Sequence, residues 1–265
     1  MKAAGEASLS LSTMNIGAKI LRVKSCPSTN DLAKELALSG ESEGMVVIAE
    51  EQTRGKGTKG RDWYSARKKG LYLSVVLTPP FPDISLLPLV AGIAVSDAVL
   101  SCLGIRVGLK WPNDVVWEGK KLGGILCESG FLGNRVNYAI LGIGLNVNYE
   151  KGDFPKGIRR QAISLKLIKK EKIEEEAFLD CLWKFLNHWY GCFLKGEKQR
   201  ILRAYQETSV LPLGEKIDLI MEREVLSGVY RGLNPQGGLI LERDGLRESF
   251  FSAEIKTIQK AKKEE

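Results

Sequence analysis

The chain has 265 residues, 44% hydrophobic and 27% charged, with a formal net charge of +7. This is the composition of a soluble globular chain with a real core, and the length suits one large domain or a main domain with a small appendage. Five cysteines without a C-x-x-C spacing and a single histidine, His188, exclude a Cys/His zinc set and fit a reducing, cytoplasmic setting.

Residues 1–15 carry Glu6 and several serines where a secretory signal would have a charged start and an apolar block. Residues 1–14 are expected to form a disordered tail. Ile16–Val23 predicts a first strand. The stretch SCPSTNDLAKELALSG predicts a helix capped by Ser28 or Thr29, with Leu32, Ala33, Leu36 and Ala37 facing inward and Gly40 ending it. Strands follow at Gly44–Glu50 and Leu71–Leu77, with the glycine-rich loop TRGKGTKGRDW between them. A helix is predicted over 86–103. Its most apolar part, Leu86–Val95, is too short to span a bilayer and is followed by Asp97, so no membrane partner is expected.

Beyond it come KWPND, a strand–turn–strand around Val115–Glu128 and a strand at Asn137–Asn146. Strands outnumber helices and lack the βαβ alternation of a doubly wound sheet, which predicts an α+β fold. Residues 173–195 place many aromatic and aliphatic side chains at helical spacing, and His188 inside that stretch reads as a structural residue. After Leu213 the texture changes to short β runs separated by turn signals at Asn234–Gly238 and Asp244–Gly245. These predict a small β-barrel over 211–262, following a main domain over 15–210.

Between Arg54 and Lys69 seven cations stand against Asp62 alone, a local balance of +6. Gly55, Gly57 and Gly60 satisfy G-x-G-x-x-G, but no helix opens at the third glycine, so a dinucleotide fold fails on context. A Walker loop fails because Arg61 and Asp62 follow the last glycine, and a kinase-type loop fails for want of its downstream partners. Two readings remain for the loop. Its N–H groups and cations can cradle an anion, or it is a solvated hairpin with a basic face.

Four further segments bear on that choice: STN at Ser28–Asn30, KWPND at Lys110–Asp114, KLGGILCE at Lys121–Glu128 and GIGLNVN at Gly142–Asn148. In this order, with the glycine loop second, they resemble the biotin–protein ligases over residues 16–150, and the C-terminal β segment resembles that family's SH3-like domain. The resemblance implies a mixed-sheet catalytic domain that forms biotinyl-5′-AMP from biotin and MgATP. The biotinyl group then passes to a lysine of a biotin carboxyl carrier protein of acetyl-CoA carboxylase or a related carboxylase. By position, Ser28, Thr29, Asn30 and Gln52 are similar to the biotin-ring contacts. Lys56, Gly57 and Thr58 match the part of the loop that closes over biotin and adenylate, and Arg61 its basic rim. Lys121 matches the catalytic lysine that meets both the biotin carboxylate and the α-phosphate. Trp63, Asn113, Asp114 and Asn146 match positions near the nucleotide, with Asp114 the candidate Mg²⁺ ligand.

The chemistry asks for these residue types independently. A carboxylate and a triphosphate must come within bonding distance, so cations and N–H donors are needed where charge builds up. The ureido ring offers N–H donors and a carbonyl acceptor, which suit small hydroxyl and amide side chains; STN also reads simply as a helix cap. Asn113 and Asp114, after Pro112, read equally as an ordinary turn. Cys127 reads as a small buried residue.

Two departures from the family pattern carry expectations. The family loop usually reads G-R-G-R-x-G-R, whereas Lys56 and Thr58 stand at its first two arginines, which predicts an adenylate held less tightly. Only 27 residues precede Ser28, too few for the winged helix-turn-helix of family members that double as repressors, so a monofunctional ligase without nucleic-acid binding is expected. A homodimer is compatible with the family. The rivals are a lipoate–protein ligase, disfavoured by KWPND, K-x-G-G-I-L and the β tail, and a nucleic-acid module built on the basic loop with Trp63 and Tyr64.

Overall fold

Seven strands of a mixed sheet carry the larger part of the chain in the computed structural model, which describes residues 15–41, 43–221 and 224–257. In chain order they are β1 (Ile20–Val23), β2 (Val46–Ala49), β3 (Gly70–Leu77), β4 (Gly108–Lys110), β5 (Asp114–Trp117), β6 (Lys120–Leu132) and β7 (Arg135–Asn146). Their order across the sheet is β1-β2-β3-β7-β6-β5-β4. Only the β1–β2 pair is parallel, because α1 (Thr29–Leu38) crosses between these two strands. The mixed α+β class expected from the strand count is what the chain adopts.

Both faces of the sheet are covered, unequally. On one face Leu71, Leu73, Val75 and Leu77 of β3 and Leu141, Ile143 and Leu145 of β7 pack in the main core. There they meet α2 (Leu87–Leu103) and α4 (Glu175–Leu194). Helix α2 is apolar nearly all round because the sheet, α4 and α5 (Lys198–Thr208) enclose it. On the other face a smaller cluster of Ala33, Met45, Val47, Val76, Tyr138 and Ile140 is sealed by Leu32, Leu36 and Ala37 of α1. Because α1 is short, the middle of β6 and β7 on this face is left for the site.

The second sheet is antiparallel. Its strands β8 (Lys216–Ile220), β9 (Val225–Leu233), β10 (Leu239–Arg243), β11 (Leu246–Phe250) and β12 (Glu254–Thr257) run in the order β11-β10-β9-β8-β12. It is fixed to the first by the Trp111 indole N–H, which donates to Gly237 O at 2.9 Å. Gly237 has φ of 79°, and a Cβ there would stand 2.9 Å from Leu89. Only glycine allows that contact.

Several boundaries differ from the sequence reading. The first strand begins at Ile20, not Ile16: Ile16 is buried, but its N–H and C=O are held by the Asn187 amide of α4 at 2.8 and 3.0 Å. Ser28 stands at the N-cap of α1 without its side chain accepting a cap bond. The short strand β4, the short helix α3 (Leu165–Lys169), α5 and β12 are elements beyond those the sequence predicts. Helix α5 buries only Ile201 and Tyr205, too narrow a stripe to stand out in a charged segment. The expected tail over 1–14 and the segment 258–262 lie outside the described residues, and among those residues no helix is long and apolar enough to cross a membrane.

Candidate active site

Three glycines make the floor of the site on the face that α1 leaves open. A Cβ at Gly142 would come within 2.2 Å of Asn30 Oδ1, and one at Gly144 within 2.6 Å of the Trp63 ring. At Gly124 it would meet Trp63 at 3.3 Å and Lys121 Cε at 3.4 Å. The Gly-rich texture of β6 and β7 thus lets the side chains of Asn30, Trp63 and Lys121 lie directly on the sheet.

At one end of this floor the start of α1 buries Ser28, Thr29 and Asn30. Gln52 Oε1 accepts the Thr29 N–H at 2.8 Å, which satisfies one orphan donor of the helix, and Gln52 Nε2 donates to Ser65 Oγ at 2.8 Å. Ser74 Oγ stands 2.8 Å from Thr29 Oγ1 and 2.6 Å from Asn30 Oδ1, and Asn30 Nδ2 donates to Glu128 at 2.6 Å. Ser65, Ser74 and Glu128 were not singled out from sequence. The available signal was one hydroxyl inside the apolar strand LYLSVVL and one carboxylate ending KLGGILCE.

The glycine loop is an ordered hairpin. Gly57 N–H donates to Arg61 O at 2.7 Å and Trp63 N–H to Gly55 O at 2.8 Å, around a tip at Thr58–Gly60 where Lys59 has φ of 58°. Those two N–H groups are therefore spent inside the loop. A Cβ at Gly55 would stand 2.4 Å from Trp63 O, so the hairpin needs that glycine. At its far end the Tyr72 and Tyr149 hydroxyls meet at 2.6 Å and hold the main chain of Ala66. Burial pushes both phenols above the ordinary range, so they stay neutral. Lys56 pairs with Asp31, whose hydrogen bond raises the ammonium pKa against the opposing effect of burial. Arg61 reaches across to Glu254 of β12 at 3.8 Å.

Lys121 begins the other end of the floor. Its Nζ is 2.6 Å from Asp114 Oδ1 and 5.5 Å from the Trp63 ring centre. Trp63 Nε1 is buried without a hydrogen-bond partner. Asn113 Nδ2 donates to Ile125 O at 2.9 Å and Asn146 Nδ2 to Ile163 O at 3.0 Å, so both amides brace the main chain around the cavities they line. Desolvation pushes the Cys127 thiol up to about 12, which makes it inert, although the residue is half-buried where the sequence reading had it buried.

Two cavities result. A narrow slot of about 40 Å³ is lined by Ser28, Thr29, Asn30, Gln52, Lys56 and Asn113, and a wider one of about 220 Å³ by Arg61, Asn146, Phe154, Ile158 and Gln161. Gly57, Thr58, Trp63 and Lys121 line both. Phe154, Ile158 and Gln161 come from a loop that carries no recognisable motif.

A family model described as the biotin/lipoate A/B protein ligase family matches residues 23–146, from the end of β1 through β7. The bifunctional ligase/repressor BirA of Bacillus spizizenii is 32% identical over 255 residues, 92% of this chain and 76% of that protein. The biotin–[acetyl-CoA-carboxylase] ligase of Paracoccus denitrificans is 31% identical over 246 residues, 86% of this chain and 96% of its own. The chain belongs to the biotin–protein ligase family. A solved biotin protein ligase from Aquifex aeolicus, in complex with biotin and ATP, superposes with a TM-score of 0.78 at 29% identity, covering 90% of this chain and 98% of that one.

In this biotin–protein ligase family member, every site residue expected from sequence lines one of the two cavities except Asp114. Asp114 is engaged through Lys121. Among the described residues no cluster of three or more His, Cys, Asp or Glu side chains is arranged to hold a metal ion.

Proposed function

We propose that this chain activates biotin with MgATP and transfers the biotinyl group to a lysine of a biotin carboxyl carrier protein. The observation that carries this reading is the place of Lys121: its ammonium lines both the polar slot beneath α1 and the wider cavity beside it. The slot suits the ureido ring, with Ser28, Thr29, Asn30 and Gln52 as its hydrogen-bonding groups and Lys56, Gly57 and Thr58 as its cover. The wider cavity suits the nucleotide, with Arg61, Trp63 and Asn146 as its polar and stacking surround; Asn113 reaches the nucleotide from the slot and Asp114 through Lys121.

In the first step a carboxylate oxygen of biotin attacks the α-phosphorus, the bond to the bridging oxygen breaks and pyrophosphate leaves. Two anions converge there, and the Lys121 ammonium supplies charge and donors where charge accumulates. The cations of the loop lower the repulsion on approach. In the second step the carrier's lysine amine attacks the acyl carbon, the bond to AMP breaks, and the amine loses its proton. Mg²⁺ enters as part of the nucleotide substrate, a mode that needs one or two carboxylates rather than a cage, and Asp114 is the carboxylate for it.

The catalytic unit is residues 15–210, and the second sheet belongs to an SH3-like barrel over 211–262. The carrier is that of acetyl-CoA carboxylase or a related carboxylase, as the name of the Paracoccus relative suggests. The enzyme works in the cytoplasm without nucleic-acid or membrane partners, and a homodimer would form through the sheet edge at β1, since Leu109 of β4 is already bridged to Ser209 and bonded by Val210 N–H. Biotin-dependent exchange of labelled pyrophosphate into ATP tests the activity. Exchange with biotin is expected, and exchange with lipoate in its place overturns the substrate assignment.

A further inference from the structure

We infer that Ser74 and Glu128 are positioning residues that set the direction of the protons in the slot beneath α1, so that Thr29 presents an acceptor to the ligand. This deepens the biotin reading of the slot and rests on it.

The inference follows from what each group can donate. Ionised Glu128 only accepts, so its contact of 2.6 Å fixes which end of the Asn30 amide is Nδ2. Asn30 Oδ1 then faces Ser74 Oγ at 2.6 Å. An amide oxygen has no proton to give, so the single Ser74 proton goes to Oδ1. Spent there, that proton is not given to Thr29 Oγ1, the other acceptor within its reach at 2.8 Å, so the Thr29 lone pairs stay free. The Thr29 hydroxyl gives its own proton to Gln52 Oε1 at 3.1 Å, the same oxygen that takes the Thr29 N–H at 2.8 Å. Gln52 is itself held in one orientation, since Ser65 Oγ donates to Trp63 O and accepts from Gln52 Nε2.

With its proton given to Gln52, Thr29 Oγ1 turns its lone pairs to the slot. A cyclic urea carries N–H donors on its ring, and an acceptor in a fixed direction is what recognises one. Ser74 is fully buried and cannot meet a ligand itself, so it acts only through Thr29 and Asn30. Gly142 belongs to the same device, because any side chain there would displace the Asn30 amide from the line between Ser74 and Glu128.

The test measures KM for biotin, KM for ATP and kcat in pyrophosphate exchange for wild type, Ser74→Ala, Glu128→Gln and Glu128→Leu. A biotin analogue methylated on one ureido nitrogen is run beside biotin. Ser74→Ala and Glu128→Leu are expected to raise KM for biotin about tenfold with KM for ATP and kcat little changed. The preference for biotin over the methylated analogue should shrink with it. Glu128→Gln is expected to keep the wild-type KM, because its amide oxygen can still accept from Asn30. An unchanged biotin KM in both Ser74→Ala and Glu128→Leu overturns the inference, as does a uniform loss of kcat and both KM values with the analogue preference intact. Absence of biotin-dependent exchange in the wild type is a different failure, because it removes the biotin reading itself and the inference with it. Should Ser74→Ala not fold, the Glu128 pair decides, since Glu128 is only half-buried.

Discussion

Lys121 Nζ lies 5.5 Å from the centre of the Trp63 ring, so the one cation common to both cavities rests against the one indole common to both. Asp114 holds the same ammonium from the other side at 2.6 Å. Converging anions would compete with Asp114 for it. Lys121→Ala is therefore expected to reduce biotin-dependent pyrophosphate exchange at least about a hundredfold, and exchange within threefold of wild type would remove Lys121 from its catalytic role.

Trp63 lies on Gly124 and Gly144 with its N–H buried and unpartnered, a costly position that a ligand entering between the cavities would relieve. Addition of biotin and ATP is expected to change tryptophan fluorescence in wild type, and most of that change should vanish in Trp63→Phe. Equal changes in the two proteins would place the responsive indole elsewhere among the five tryptophans.

Thr58 sits at the tip of the loop, where its Oγ1 meets Arg61 only loosely at 3.4 Å. A second guanidinium there adds charge-assisted bonds to a phosphate, so Thr58→Arg should slow dissociation of the adenylate about tenfold. A release rate unchanged or faster in the mutant would refute the idea.

Tyr149 donates to Tyr64 O and accepts from Ala66 N–H, which ties the end of the loop to the segment that follows β7. Tyr149→Phe is expected to cost about 1–3 kcal/mol of stability and to speed tryptic cleavage between Arg54 and Lys69. Biotin with ATP should slow that cleavage in wild type. Identical cleavage rates in mutant and wild type would show that the loop is held by other contacts.

The Asp153 carboxyl is held below its ordinary 3.8, first by the hydrogen bond from Lys69 and then by the Glu150 N–H. A depressed folded-state pKa means that its stabilisation is present above the unfolded value and is lost as pH falls through the folded one. Melting temperatures of wild type and Asp153→Asn should therefore differ at neutral pH and converge as pH falls through the lowered carboxyl pKa. A difference that stays constant into acid would mean that the Lys69–Asp153 pair does not contribute.

Local chemistry made much of this site legible. STN, the glycine loop, Lys121 and the Gly-Gly strand are each short runs whose residue types are required within a few positions, and the structure brings them to one floor. Ser74 and Glu128 gave no comparable signal. A serine within an apolar strand looks the same whether it faces a packed helix or a ligand slot, and only the pairing of β3 with β7 beneath α1 decides between them.

By itself the sequence determined the α+β class, the basic loop and the set of polar groups required for joining two anions, because these depend on composition and on residues close in the chain. Tertiary structure decided what those groups face. It spent part of the loop's N–H donors in a hairpin, set Trp63 and Lys121 against Gly124 and Gly144 of β6 and β7, and lined Asn30, Ser74 and Glu128 up across 98 residues of chain. The physical reason is that direction in a hydrogen-bond network depends on which acceptor-only groups end it, and those groups meet only when distant strands pair.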